Sequence, residues 1–201
     1  DNVFFVSGID TNVGKSYATG YLAKTWNEQG VRTITQKFIQ TGNVGMSEDI
    51  ELHRKIMGTG LLPEDESGLT MPEIFTYPCS PHLAAEIDHR PIDFDKIEKA
   101  TRQLSETYDA VLLEGAGGLM VPLTRDLLTI DYVAQKNYPL IFVTSGKLGS
   151  INHTLLSLEA VTRRGIRLHT VAYNLFPEED DDIIRRDTEA SSSLFSYRNN
   201  P

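Results

Sequence analysis

Short apolar runs of four to six residues alternate along the chain with longer segments of helical spacing. That alternation is what βα units produce when they stack into a parallel sheet. The first apolar run is 3–6. Over 15–29 the spacing predicts a helix with Tyr17, Tyr21, Leu22 and Trp26 on one face and Gly30 as its stop. Residues 31–38 read as a second, less apolar strand and 47–57 as a second helix. The stretch 58–81, rich in Gly, Pro and acidic residues, reads as an excursion over the sheet, and 92–107 as a helix crossing back. Residues 110–113 form the most buried-looking strand, followed by Glu114 and a turn at 115–118. A strand at 140–143, a turn containing Gly146 and Gly149, a helix at 151–164 and a last strand at 168–173 ending at Asn174 complete the series. The expected fold is α/β, a mostly parallel central sheet flanked by helices, with 1–201 forming one domain.

Composition narrows what such a domain can do. A chain of 201 residues can bury a core without disulfides or metal staples. Its net charge of −9 repels phosphate backbones and anionic lipid, so nucleic acid and membrane surfaces are not expected partners. Any phosphate must be held by a few placed groups. The single cysteine, Cys79, cannot form an internal disulfide, which makes a cytoplasmic location the simplest expectation. No apolar run approaches the roughly 20 residues of a membrane span.

The strongest chemical signal is Gly14-Lys15-Ser16, between the first strand and the first helix. There, loop amides and the helix N-terminus can face phosphate oxygens, Lys15 can reach the outer phosphates and the Ser16 hydroxyl can ligate Mg²⁺. The expected architecture is therefore that of a P-loop NTPase, with Asn12, Val13, Gly14, Lys15, Ser16 and Tyr17 lining the nucleotide. The opening glycine, Gly8, stands one residue earlier than the strict pattern places it. A P-loop also needs an acid for the metal. Glu114 ends a buried strand beside glycines that let the backbone approach the nucleotide, and Asp49 is a second candidate, either ligand or helix cap. Lys37, near the end of the second strand, either meets transferring phosphate or is a solvated lysine. Thr41 and Gly42 fit a substrate-contact loop or a plain turn. The turn before the helix at 151 either receives a carboxylate on its free amides or is merely capped by Ser150. The five histidines show no metal-ligand spacing, and no nucleophile elbow is present.

Together these segments resemble the dethiobiotin synthetase family over about residues 3–174. The resemblance rests on the loop from Gly8 to Ser16 with Asp10, Thr11 and Val13, and on Lys37 to Thr41 with Gly42. It rests further on Ser80, Pro81 and His82 with Ala84 and Ala85, on Glu114 to Gly118 with Pro122, and on Lys147 to His153. It implies ATP-dependent carboxylation and ring closure of 7,8-diaminononanoate (7,8-diaminopelargonate) with CO₂ to give dethiobiotin. Carried over, Lys15 and Lys37 would steady the phosphates and the carbamate, while Ser16, Asp49 and Glu114 would hold Mg²⁺. Gly115, Ala116 and Gly117 would line the nucleotide, Asn174 would read its base, and Thr41 would contact the diamine. Gly149, Ser150, Ile151 and Asn152 would receive the substrate carboxylate across a homodimer interface. Three positions depart from the family. Asn12 stands where an acid is common, Phe38 stands where a proline is usual, and after Asn174 the Gly- and Pro-containing base loop gives way to acidic sequence.

The competing readings are a ParA/MinD-like nucleotide switch, a catalytically silent regulatory relative, and the synthetase part of a cobyrinate-type amidotransferase. The first is disfavoured because positions 9–13 carry no extra lysine, the second because Lys37, Asp49 and Glu114 all remain. The third lacks a glutaminase portion.

Overall fold

A computed structural model describes residues 2–175. The acidic run 178–182, read from sequence as a solvated loop, and the serine-rich tail lie outside them. Five strands form an all-parallel sheet: β1 (Val3–Gly8), β2 (Thr33–Lys37), β5 (Ala110–Gly118), β6 (Leu140–Ser145) and β7 (Leu168–Asn174), in the order β2-β5-β1-β6-β7. The connections are helical: α1 (Lys15–Glu28) follows β1, α2 (Glu48–Met57) and the short α3 (Pro63–Glu66) follow β2, and α4 (Pro81–Ile87) and α5 (Phe94–Thr107) precede β5. Helices α6 (Thr129–Lys136) and α7 (Ser150–Arg163) flank β6. The α/β reading of the sequence is thus realised.

Alternation along the strands divides the core in two. Phe5, Ile34, Val111, Leu113, Leu140 and Phe142 pack on one face with Ile97, Leu104, Leu158 and Val161 of the helices. Val6, Leu112, Ile141 and Val143 pack on the other with Ala23 of α1. The same period of two aims Thr35 and Lys37 of β2, and Leu112 and Glu114 of β5, at the face covered by α1 and α2. Lys37 and Glu114 are register partners, so two opposite charges meet at the carboxyl end of adjacent strands.

Two expectations need correction, and a third gains detail. The fully buried stripe of α1 is Lys15, Thr19, Gly20 and Ala23; Leu22 and Trp26 pack half-buried against the same core, whereas Tyr17 and Tyr21 are each 58% exposed. The reason is steric: α1 packs closely on α2, where Gly20 meets Ile56, and only small residues fit that approach. Residues 115–118 are not a turn but continue β5 through a bulge. Val6 pairs Glu114 and Gly8 pairs Gly118, so the intervening residues of β5 outnumber those of β1 and the strand arches. The excursion at 58–81 leaves the main sheet as expected and supplies β4 (Ile74–Phe75), which pairs with β3 (Gln40–Thr41) in a small second sheet. It also covers the β2 edge, where the Lys37 amide donates to the Thr70 carbonyl at 2.7 Å.

Candidate active site

The loop joining β1 to α1 closes tightly for two reasons. A Cβ on Gly8 would stand 2.7 Å from Val13 Cγ1 and 2.9 Å from the Val143 carbonyl. The early glycine is therefore needed for close approach. Gly14 has φ +99, and a Cβ there would lie 2.5 Å from Asn174 Nδ2. Asn12 adopts φ 59, a left-handed conformation that asparagine tolerates better than most residues. Helix α1 has no side-chain cap and no acid in its first turn, so its dipole favours an anion at the loop. Lys15 donates from Nζ to the Asp10 carbonyl at 2.8 Å. Its burial, and then the neighbouring Lys37, pull its pKa down to about 8.

Beside this loop lies a cluster of charge. Lys37 Nζ is 2.5 Å from Asp49 Oδ2 and 2.9 Å from Glu114 Oε1, and it also donates to the Gly115 carbonyl at 3.2 Å. The Ser16 hydroxyl faces Asp49 Oδ1 at 2.7 Å and Glu114 Oε1 at 2.8 Å. One hydroxyl proton cannot serve two carboxylate oxygens at full strength, so the cluster holds more acceptors than donors. Burial acts most strongly on Glu114 and pushes its pKa up, but Lys37 and His53 outweigh it and hold the acid well below the usual carboxylate range. Conversely, burial pulls Lys37 down while Glu114 and Asp49 more than restore it. Both groups are therefore charged at neutral pH. An all-oxygen set from a hydroxyl and two carboxylates suits a hard divalent cation such as Mg²⁺. Among the described residues no group of three or more His, Cys, Asp or Glu side chains could hold a metal unaided. Such an ion would take its other ligands from phosphate and water.

Local structure explains how these groups arrive. Ser47 caps α2 by accepting from the Ile50 amide at 3.2 Å and donates to Gln40 Oε1 at 2.6 Å, which fixes Asp49 in the first turn. Asp49 is thus not itself the cap. The buried face of α2 is Ile50, His53 and Arg54. His53, passed over in the sequence as lacking metal-ligand spacing, reaches Glu114 Oε2 with Nε2 at 2.8 Å. The readable signal was its position one turn after Asp49, which puts both on one side of the helix. Arg54 forms a two-point ion pair with Asp65, both contacts at 2.8 Å.

The other candidate residues are placed as follows. Thr41 lies in β3, half-buried, one residue after Gln40. Gly115, Ala116 and Gly117 form the arched part of β5. Asn174 ends β7 and donates from Nδ2 to the Val13 carbonyl at 2.9 Å, bracing the phosphate loop. Tyr17 projects outward beyond it. In the turn before α7 the cap position is Gly149, in the left-handed region, and not Ser150, whose hydroxyl instead pairs with Ser145 at 3.1 Å inside the fold. The amides of Ile151 and Asn152 have no acceptor among the described residues. No hydrogen bond or ion pair among the described residues joins this turn to the Ser16, Lys37 and Glu114 cluster.

A family model described as an AAA domain matches residues 2–198. The ATP-dependent dethiobiotin synthetase BioD 2 of Haemophilus influenzae is 57% identical over 184 residues, covering 92% of this chain and 96% of that protein. The corresponding synthetase of Pasteurella multocida is 54% identical, with 93% of this chain and 87% of that protein covered. Among solved structures, pNOB8 ParA bound to nonspecific DNA superposes with a TM-score of 0.58 at 13% identity, over 97% of this chain and 75% of that one. The kinase domain of the Escherichia coli tyrosine kinase ETK gives 0.52 at 15% identity, over 86% of this chain and 67% of that one. At such identities these structures speak for the fold alone, whereas the sequence relatives speak for more: the chain belongs to the ATP-dependent dethiobiotin synthetase family.

Proposed function

We propose that this chain joins CO₂ to 7,8-diaminononanoate at the expense of ATP and closes the ureido ring of dethiobiotin, a cyclo-ligase step of biotin biosynthesis. One substrate amine adds to CO₂ and loses a proton to give a carbamate. A carbamate oxygen then takes the γ-phosphoryl group, releasing ADP. The second amine attacks the carbamoyl carbon, phosphate leaves, and the ring closes. No protein nucleophile is needed, and the enzyme's task is positioning and charge neutralisation.

The observation carrying this reading is the convergence of Ser16, Asp49 and Glu114 on the P-loop with Lys37 among them. Ser16, Asp49 and Glu114 are the groups that would hold Mg²⁺, which when bound supplies charge neutralisation at the phosphates. Lys15 tracks the outer phosphates. Lys37 is held at the carboxyl edge of the sheet, where it can follow negative charge from the carbamate to the transferring phosphoryl group. Thr41 contacts the diamine. Asn174 lies at the loop that carries the nucleotide, in reach of a role at the base. The amides of Ile151 and Asn152, with Gly149 and Ser150 shaping the turn, receive the substrate carboxylate of a neighbouring subunit. Leu148 at the tip of that turn is 95% exposed, as suits a homodimer contact. Among the described residues no helix is long and apolar enough to cross a membrane.

The test is incubation with diaminononanoate, bicarbonate, Mg²⁺ and ATP, followed by mass spectrometry for dethiobiotin and assay of phosphate. Equal amounts of the two are expected. Phosphate release without dethiobiotin would sink the proposal.

A further inference from the structure

We infer that His53 is a positioning residue for Glu114, anchoring one carboxylate oxygen so that the other faces the Ser16 and Lys37 side of the cluster. The imidazole is fully buried, with Nε2 2.8 Å from Glu114 Oε2 and Nδ1 3.0 Å from the Thr35 hydroxyl. The tautomer follows from what lies behind it. Arg54, which can only donate, gives Nη1–H to Thr35 Oγ1 at 2.8 Å and so occupies one of that oxygen's lone pairs. The threonine has a single proton, and its one acceptor in reach is His53 Nδ1. Nδ1 therefore accepts, Nε2 carries the proton, and that proton points at Glu114. Every donor and acceptor in the chain from Arg54 through Thr35 and His53 to Glu114 is then matched. Asp65 locks the far end by holding Arg54 at two points.

The consequence lies at the carboxylate. Glu114 Oε2 is committed to the interior, while Oε1 takes the contacts with Ser16 and Lys37. Rotation of the carboxyl group would break both sets. A ligand whose lone pair is already aimed binds a cation without an ordering cost, the usual effect of an outer partner on a ligating side chain.

This rests on Glu114 being a metal ligand, and the test separates the two claims. The readout is the dissociation constant of Mn²⁺ in the presence of ADP, followed by electron paramagnetic resonance, alongside ADP binding in EDTA. His53→Gln keeps a donor where Nε2 stands, whereas His53→Asn keeps only the Thr35 side. We expect H53N to weaken Mn²⁺ binding by about tenfold or more and H53Q by no more than roughly threefold, with metal-free ADP binding unchanged in both. Glu114→Gln should weaken Mn²⁺ at least as much, and H53N added to it should weaken it no further. If E114Q leaves Mn²⁺ affinity intact, the metal-ligand reading itself fails. If E114Q weakens binding but H53N does not, or if H53N and H53Q act equally, the role of His53 is overturned. Should H53N be insoluble, Thr35→Val, which removes the donor to Nδ1, must weaken Mn²⁺ measurably, and no change would overturn the inference.

Discussion

Replacing Lys37 with methionine keeps the length of the side chain and removes its charge, which isolates what the ammonium does. In the wild type it is the cation in contact with Asp49 and Glu114, at 2.5 and 2.9 Å. Without it, two carboxylates share one Ser16 hydroxyl with only the His53 Nε2–H beside them, and Glu114 has no exposed side-chain surface. Removing one partner of a buried ion pair costs about 3–5 kcal/mol. Asp49 retains 21% exposure, which favours the lower end. For a chain of this size about 3 kcal/mol corresponds to a melting point lower by roughly 6–12 °C. The pH dependence follows from Glu114, whose native pKa is depressed: its stabilisation is present above the unfolded value and is lost as pH falls towards the native one. In Lys37→Met that depression largely goes and burial raises the acid, so the deficit against wild type is largest at neutral pH and shrinks on acidification. Mg²⁺ should also shrink it, by the difference between the RT ln(1 + [L]/Kd) terms of variant and wild type, because the cation binds more tightly where the competing ammonium is gone. The assay is thermal unfolding at neutral and mildly acidic pH, with EDTA or with Mg²⁺, and dethiobiotin formation should be abolished throughout. A deficit that neither acid nor Mg²⁺ reduces would refute the electrostatic argument, as would a melting point unchanged in EDTA at neutral pH.

Three further substitutions probe other parts of the fold. Asp65→Asn leaves the Arg54 guanidinium, 2% exposed, without its counter-charge and should cost about 3–5 kcal/mol by urea titration at neutral pH. Burial raises the Asp65 pKa, but the Arg54 and Thr70 hydrogen bonds more than offset it and the net shift is down. Its stabilisation is therefore present above the ordinary carboxylate value and is lost as pH falls through the native one, and D65N should flatten the acid limb of the stability curve. Gly14→Ala must take a left-handed conformation with a Cβ pressed on Asn174, and should weaken ATP binding by about tenfold or more in calorimetry. On the proposed homodimer, Leu148→Asp should shift light scattering from dimer towards monomer and make specific activity fall on dilution, with the circular dichroism spectrum unchanged, since the side chain is almost wholly exposed in the single chain.

The alternation of apolar runs made the sheet and most of its helices legible, because a buried parallel strand must be apolar throughout and little else is. What escaped detection did so for physical reasons. Residues 115–118 have no side-chain pattern to betray a strand, and only pairing with Gly8 makes them one. The α1 stripe was misjudged because hydrophobicity marks the larger residues, whereas close helix packing selected Thr19, Gly20 and Ala23. Lys15, Ser16 and Glu114 could be found from their places at strand and loop ends. For His53 the sequence offers only its place one turn after Asp49, and the rest of its meaning depends on Thr35 and Glu114, which lie 18 and 61 residues away and meet it only through the β2 and β5 register.

Phe38 follows Lys37 where the family resemblance implies a proline. A proline would restrain the backbone through its ring and would offer no amide proton. Here the Phe38 amide donates to the Glu114 carbonyl at 2.8 Å, and its ring is buried against Phe5 and Tyr132. In place of such a ring, one rung of a sheet ladder and two aromatic neighbours restrain the lysine. Covalent stiffness survives local opening, whereas a ladder rung lasts only while its strand is paired. In this chain, then, the aim of Lys37 is tied to the intactness of β2, a strand buried along its whole length, so the lysine should hold its pose for as long as the sheet itself stands.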